Sequence, residues 1–423
     1  MVSTKNKLVT ILLISGILMF YVMQMNPAPV LPTIAEELAP TSDVTINMVA
    51  NIIFVTIVIG CIVGTPIEKR IGTINLYSLA SLFVILGCLI IALFGDIYEF
   101  LLVGRAVFGF GFGLGVPFIG SAIMDWYSPK EREIMNTVNG VFPFVGTLIC
   151  YLLTEPLMNA FGGNWRFALA VWGLIVLIVL IVWVPSIKED NIQVYDDERG
   201  GEELEKGVYR ELIGRREIKL CSVTFICDFC CYSYIGVILP TLLMSADPVS
   251  DAAVNLLAAF AFPGVGLIGS TLGGVLVART GLRRPALLIG QIGKFIGILI
   301  ATLGADMSLG LIVFGIAIFG FSNGFWMPAL YCVPMDLKGM TPLKAGAAFA
   351  LMTAVALSFG FIAPVVGGAL TDMLVAASGL ADPVASHLFG LRWSLFIFGF
   401  VNIIGFICMV VMKETGTRRK EGD

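Results

Sequence analysis

Apolar runs of roughly 20 residues recur from one end of the chain to the other, each closed by charge, proline or glycine, and that is the length a helix needs to cross a hydrocarbon core of about 30 Å. Lipid offers a backbone no hydrogen bonds, so segments of this kind must pair their own N–H and C=O groups and fold as helices. Only 13% of residues are charged and 58% are hydrophobic, whereas a soluble domain carries about 25% charge. The chain therefore reads as an all-α polytopic membrane protein. A net charge of -4 leaves no basic footprint for nucleic acid. The nine cysteines lie almost wholly inside the apolar runs and read as free thiols. Lys5 and Lys7 precede a first run, 8–31, that outlasts a signal-peptide core and lacks a small-residue cleavage site, so it is expected to be retained as a helix.

Twelve spans follow from the breaks: 8–31, 46–66, 74–95, 97–121, 134–154 and 165–184, then 217–243, 253–277, 285–305, 308–333, 345–371 and 392–412. The stretch between the sets, 185–216, is rich in acidic residues from Glu189 to Glu205 and reads as a solvated linker. The expected organisation is an N-terminal six-helix half (1–184), the linker (185–216), a C-terminal half (217–412) and a tail (413–423). Cationic loops stay on the cytoplasmic side. With both termini inside, Arg166 and Arg392 are the outer cations, Arg105 and Lys294 lie within spans, and all the others are cytoplasmic.

The six-and-six division has an echo in the sequence. Leu31-Pro32-Thr33 returns as Leu239-Pro240-Thr241, and Lys69-Arg70-Ile71-Gly72 between spans two and three returns as Ala278-Arg279-Thr280-Gly281 between spans eight and nine. Near-equal offsets at equivalent loops point to duplication of a six-helix unit. Around these loops the sequence resembles the major facilitator superfamily, in which the loop after helix 2 carries Gly-x-Leu-x-Asp-Arg-x-Gly-Arg-Arg. Here the second copy runs from Gly274 to Arg283, and both copies lack the aspartate, replaced by Lys69 and Ala278, with Glu68 one residue before Lys69. After the fourth span, Asp125-Trp126-Tyr127-Ser128-Pro129-Lys130-Glu131-Arg132 is similar to the family's Asp-Trp-Phe-x-Pro-x-Glu-Arg turn. Asn139, Gly140, Pro143 and Gly146 form a weak version of the motif that drug antiporters carry in the fifth helix.

The resemblance implies two pseudo-symmetric six-helix halves, a gate built on Lys69, Arg70, Gly72, Arg279, Gly281, Asp125 and Arg132, and a central cavity lined by helices 1, 4, 7 and 10. Lys294, on the ninth span, is then expected on the outer rim as a packing or snorkelling cation. Gly109, Gly111, Gly113 and Gly115 fall mid-membrane, where a phosphate cradle has no place and small-xxx-small spacing brings helices together. Cys227, Cys230 and Cys231 lack the histidine partners of a zinc site, the one histidine being His387.

Ionisable residues inside a membrane mark a substrate or ion path by default. Arg105 and Asp228 are the leading candidates, with Phe108 and Phe112 at helical spacing from the first and Thr224 and Tyr232 from the second; Tyr21 and Gln24 on the first span, and Asn323 and Trp326 on the tenth, complete a candidate pocket. Arg105 and Asp228 lie at similar depths and are expected to pair in some states. The reading is a secondary active transporter, not an enzyme: a monomer in the cell membrane of a prokaryote, without cofactor or metal, moving a small-molecule solute by alternating access with protons as coupling ion. An organic-anion exchanger centred on Arg105, a multidrug efflux carrier and a channel are the alternatives.

Overall fold

The computed structural model describes residues 7–38, 43–188, 192, 207–246, 251–305 and 307–416. Among these residues regular structure is entirely helical, and twelve helices are long and apolar enough to cross a membrane. The protein is a multi-pass membrane protein, as the apolar runs require. The chain separates into two compact units, residues 1–215 with 334–354 and residues 216–333 with 355–423.

The first unit opens with α1 (Lys7–Met25), a 3-10 turn (Ala28–Val30) and α2 (Leu31–Leu38). The first span, expected over 8–31, runs Lys7–Val30, and its α-helix gives way to the 3-10 turn after Met25 because Pro27 and Pro29 cannot donate to the turn before them. There follow α3 (Asp43–Ile71), α4 (Thr73–Phe94), α5 (Tyr98–Trp126), α6 (Pro129–Ala160), α7 (Trp165–Ser186) and the short α8 (Val208–Gly214). Of the expected linker, residues 189–191 and 193–206 lie outside the described residues, and its end forms α8.

Glycine brings α5 against its neighbours. A methyl group on Gly113 would stand 2.8 Å from Gly60 Cα on α3, and one on Gly111 would stand 2.7 Å from the Ala80 carbonyl on α4. The two faces of α5 are therefore fixed by alternate glycines, each admitting a neighbouring backbone.

The second unit contains α9 (Arg216–Ala246), α10 (Asp251–Ala259), a π-helical turn (Phe260–Gly264), α11 (Val265–Thr280), α12 (Arg284–Gly304), most of α13 (Leu309–Asp336), the larger part of α14 (Pro342–Ser378) and α15 (Pro383–Val411). The π turn falls where Pro263 cannot donate to Ala259, so the eighth span, expected as one helix over 253–277, is interrupted there. Gly269 and Gly273 admit the carbonyls of Phe321 and Phe325 on α13, and Gly320 admits that of Phe262.

The two loops matched in sequence both place a glycine at positive φ, with ψ differing between them (162° at Gly72, 2° at Gly281). Gly72 (φ +82°) precedes α4 and Gly281 (φ +70°) ends α11, both in the region that only glycine enters without strain. The Asp125–Arg132 string is a helix-to-helix corner. Ser128 caps α6, its N–H and hydroxyl both bond Glu131 Oε2 (2.9 and 2.8 Å), Pro129 takes the first helical position, and Arg132 Nε donates to the Tyr127 carbonyl at 3.0 Å.

Candidate functional site

In the first unit, Arg105 is held by backbone. It lies 1% exposed near the start of α5, and its guanidinium donates to Val49 O (3.1 Å), Met23 O (2.7 Å), Gln24 O (2.9 Å) and Asn26 Oδ1 (3.2 Å). The reason is upstream: the Met23 carbonyl would ordinarily receive the N–H of residue 27, which is proline. Arg105 supplies the missing donor. Gln24 thus contributes its carbonyl to the arginine, and Asn26, missed by the sequence reading, its side chain, which also donates to Leu169 O at 2.9 Å. Phe108 lies under the guanidinium at 5.5 Å, and Tyr21 packs edge-on against Phe112 at 5.1 Å. Arg105, Gln24 and Phe108 are brought together; Tyr21 belongs to a neighbouring aromatic group with Phe112 and Phe142.

In the second unit the structure corrects the reading of Lys294. It is fully buried on α12, and its ammonium binds Asp228 Oδ1 on α9, which is 1% exposed. A snorkelling cation needs to reach the interface; Lys294 is halfway along its helix and turns inward instead. Trp326 of α13 lies against the same ammonium, 4.0 Å from ring centroid to Nζ. Asn323 faces the carboxylate, and since two oxygens cannot meet there, its amide nitrogen is the atom that donates, to Oδ1 at 2.5 Å and Oδ2 at 3.2 Å.

Asp228, Asn323 and Trp326, three of the residues read from sequence, therefore converge on one another and on Lys294. Tyr232, one turn beyond Asp228, is half-buried and packs against Phe262 at 5.1 Å and Phe229 at 5.6 Å. Thr224, one turn before it, donates to Leu220 O (2.9 Å) and Gly405 O (3.4 Å). Arg105 and Asp228, expected to pair in some states, each have partners within their own unit.

The cluster can hold one negative and one positive charge out of water, each hydrogen-bonded or ring-stacked, which is the condition for burying an ion pair at all. A proton reaching Asp228 breaks the ion pair and leaves the ammonium on the face of Trp326. Two charge states of one packed cluster are thus available to the chemistry.

Of the residues expected to build a gate, Lys69, Arg70 and Arg279 are exposed, and Asp125 is buried at the end of α5. Glu68, beside Lys69, turns inward at 3% exposure and accepts from Thr73 Oγ1 at 3.0 Å. All nine cysteines are free thiols, and no group of residues able to hold a metal is found among the described residues.

The family model of the Major Facilitator Superfamily matches residues 13–364. The glucose transporter GlcP of Staphylococcus epidermidis is 23% identical over 418 residues, covering 90% of this chain and 89% of its own. The nitrate/nitrite transporter NrtP of Nostoc punctiforme is 27% identical over 180 residues, 40% of this chain and 34% of that protein. Among solved structures, the proton:xylose symporter XylE bound to 6-bromo-6-deoxy-D-glucose superposes with a TM-score of 0.70 at 16% identity over 96% of both chains, a likeness of fold. A family match over most of the chain, twelve spanning helices and transporter relatives agree: this chain belongs to the Major Facilitator Superfamily and is a secondary transporter, not an enzyme.

Proposed function

We propose that the chain moves a small organic solute across the cell membrane by alternating access, coupled to protons, with Asp228 as the proton-carrying group. It works as a monomer, with both termini and the 185–216 linker in the cytoplasm. The observation that carries this reading is the enclosed Asp228–Lys294 pair, a carboxylate kept from water next to one cation, one amide and one aromatic face. An intramembrane carboxylate whose partner is a single lysine can exchange a proton for the ion pair, and that exchange changes the packing of α9, α12 and α13 together.

Arg105 fits an anion-binding role poorly. Four of its hydrogen bonds are already directed at acceptors of its own unit, three of them backbone carbonyls. Among solutes, hexoses come first for testing, on the similarity to GlcP along nearly the whole chain.

The test is transport in sealed vesicles under an imposed pH gradient, screening monosaccharides before other solutes. Asp228→Asn should abolish gradient-driven accumulation while leaving solute exchange measurable. Full accumulation in that variant would overturn the proton assignment.

A further inference from the structure

Gln291 lies on α12 one turn before Lys294, on the same face. It is fully buried, and neither its Oε1 nor its Nε2 has a hydrogen-bond partner. Thr224 stands in the matching place on α9, one turn before Asp228. The two meet at Gly405 of α15: a methyl group there would be 2.9 Å from Gln291 Oε1 and 3.3 Å from Thr224 Cγ2, and the Gly405 carbonyl accepts from Thr224 at 3.4 Å. A bare primary amide, a hydroxyl and a carbonyl therefore adjoin the ion pair on one side, toward the end of the unit that carries Arg216, Arg284 and Lys413.

The other side differs. Beyond Asp228 and Lys294 come Cys231, Ile235, Ile298 and Phe398, all buried, and the polar groups there are mostly engaged with one another: Asn402 Nδ2 donates to Cys231 Sγ at 3.0 Å, leaving its Oδ1 bare, and the hydroxyl of Tyr234, whose ring stacks on Phe398 at 4.5 Å, bonds Thr371 and Ser394. The groups that face the Asp228 carboxylate are Lys294 from α12 and Asn323 from α13, while the thiols Cys227, Cys230 and Cys231 of its own helix, with Cys408 on α15 beside Cys227, lie within reach of its charge. None of these thiols supplies a strong hydrogen-bonding link. Buried polar groups in native proteins are satisfied, by protein or by water. A site this polar, with an amide, a hydroxyl and a carbonyl converging, suits a water making two to four hydrogen bonds.

We infer that Gln291 and Thr224 hold water against the Asp228–Lys294 pair and form the step through which its proton is exchanged with the cytoplasmic side. This rests on the proton-coupled reading above. Gln291 is a positioning residue: it orients the water that delivers or receives the proton, and the proton itself ends on Asp228. Toward the cytoplasm, the next buried side chains are Leu287, Cys221 and Met409, which must part for exchange with bulk water.

The experiment compares wild type, Gln291→Leu, Gln291→Asn and Asp228→Asn in reconstituted vesicles, measuring gradient-driven accumulation, solute exchange, and the solvent deuterium isotope effect on both. Gln291→Leu removes two bare polar atoms and is expected to fold at least as well as wild type, checked by thermal unfolding. Its driven rate should fall relative to its exchange rate, on the order of tenfold, with an enlarged isotope effect on driven transport and partial recovery in Gln291→Asn. If Gln291→Leu keeps the wild-type ratio and isotope effect while Asp228→Asn is uncoupled, the water step is overturned and the proton reading stands. If Asp228→Asn remains fully coupled, both fall.

Discussion

Lys294 and Asp228, 66 positions apart in sequence, meet in the interior of the second unit with neither side chain reaching solvent. The pair ties α12 to α9, and Trp326 and Asn323 bring α13 into the same cluster. Removing one partner leaves the other charge buried alone. Lys294→Ala is therefore expected to lower stability by about 3–5 kcal/mol, and the double variant Lys294→Met/Asp228→Leu to recover most of that. Thermal unfolding in detergent measures both; a double variant as unstable as the single would show that the pair contributes shape and not charge balance.

Arg105 is predicted to be a structural clamp. Lysine cannot present a fork to Val49, Met23 and Gln24 together, so Arg105→Lys should cost about 1.5–3 kcal/mol for each charged hydrogen bond lost. The folded yield and unfolding temperature of Arg105→Lys read this out. Wild-type stability would mean that the carbonyls find other donors.

Glycines at close helix crossings should behave unlike glycines in open space. Gly113→Ala forces a carbon to within 2.8 Å of Gly60 Cα, and overpacking of this kind costs about 1–3 kcal/mol. Gly236→Ala on α9 meets nothing within 4 Å and should gain about 0.5–1 kcal/mol through helix propensity. Unfolding midpoints of equal size and sign for the two would contradict the crossing geometry.

Topology is testable with fusions. Reporters active only in the cytoplasm should work at Ser186 and Lys413 and fail at His387, in the first turns of α15. An active fusion at His387 with silent ones at the other sites would reverse the orientation.

The twelve spans were legible because lipid imposes one length and one chemistry on each. The corner from Asp125 to Arg132 was legible too, since its proline, serine and glutamate have local roles. Lys294 was misjudged for a physical reason: its helix was placed on the rim by analogy, although ten residues from Arg284 put it about 15 Å deep, farther than a lysine near the membrane surface needs to reach. That depth was the available signal, and with it Asp228 as the obvious partner. Gln291, three residues before Lys294, could have been found by the same reading of one helix face. The partners of Arg105 were hidden for a different reason. They are mostly backbone carbonyls, which carry no residue identity, and only Pro27 betrayed that one of them had lost its donor.

That lost donor bears on the order in which the chain is assembled. Ribosomes deliver α1 well before α5, so for the synthesis of some 80 residues the Met23 carbonyl has no partner within reach of its own segment. Hydrocarbon penalises a bare carbonyl by several kcal/mol. The end of α1, just before Pro27, is then expected to wait in contact with water or the insertion machinery until Arg105 arrives to bind it. The seat of the first helix is thus expected to be completed by the fourth membrane span.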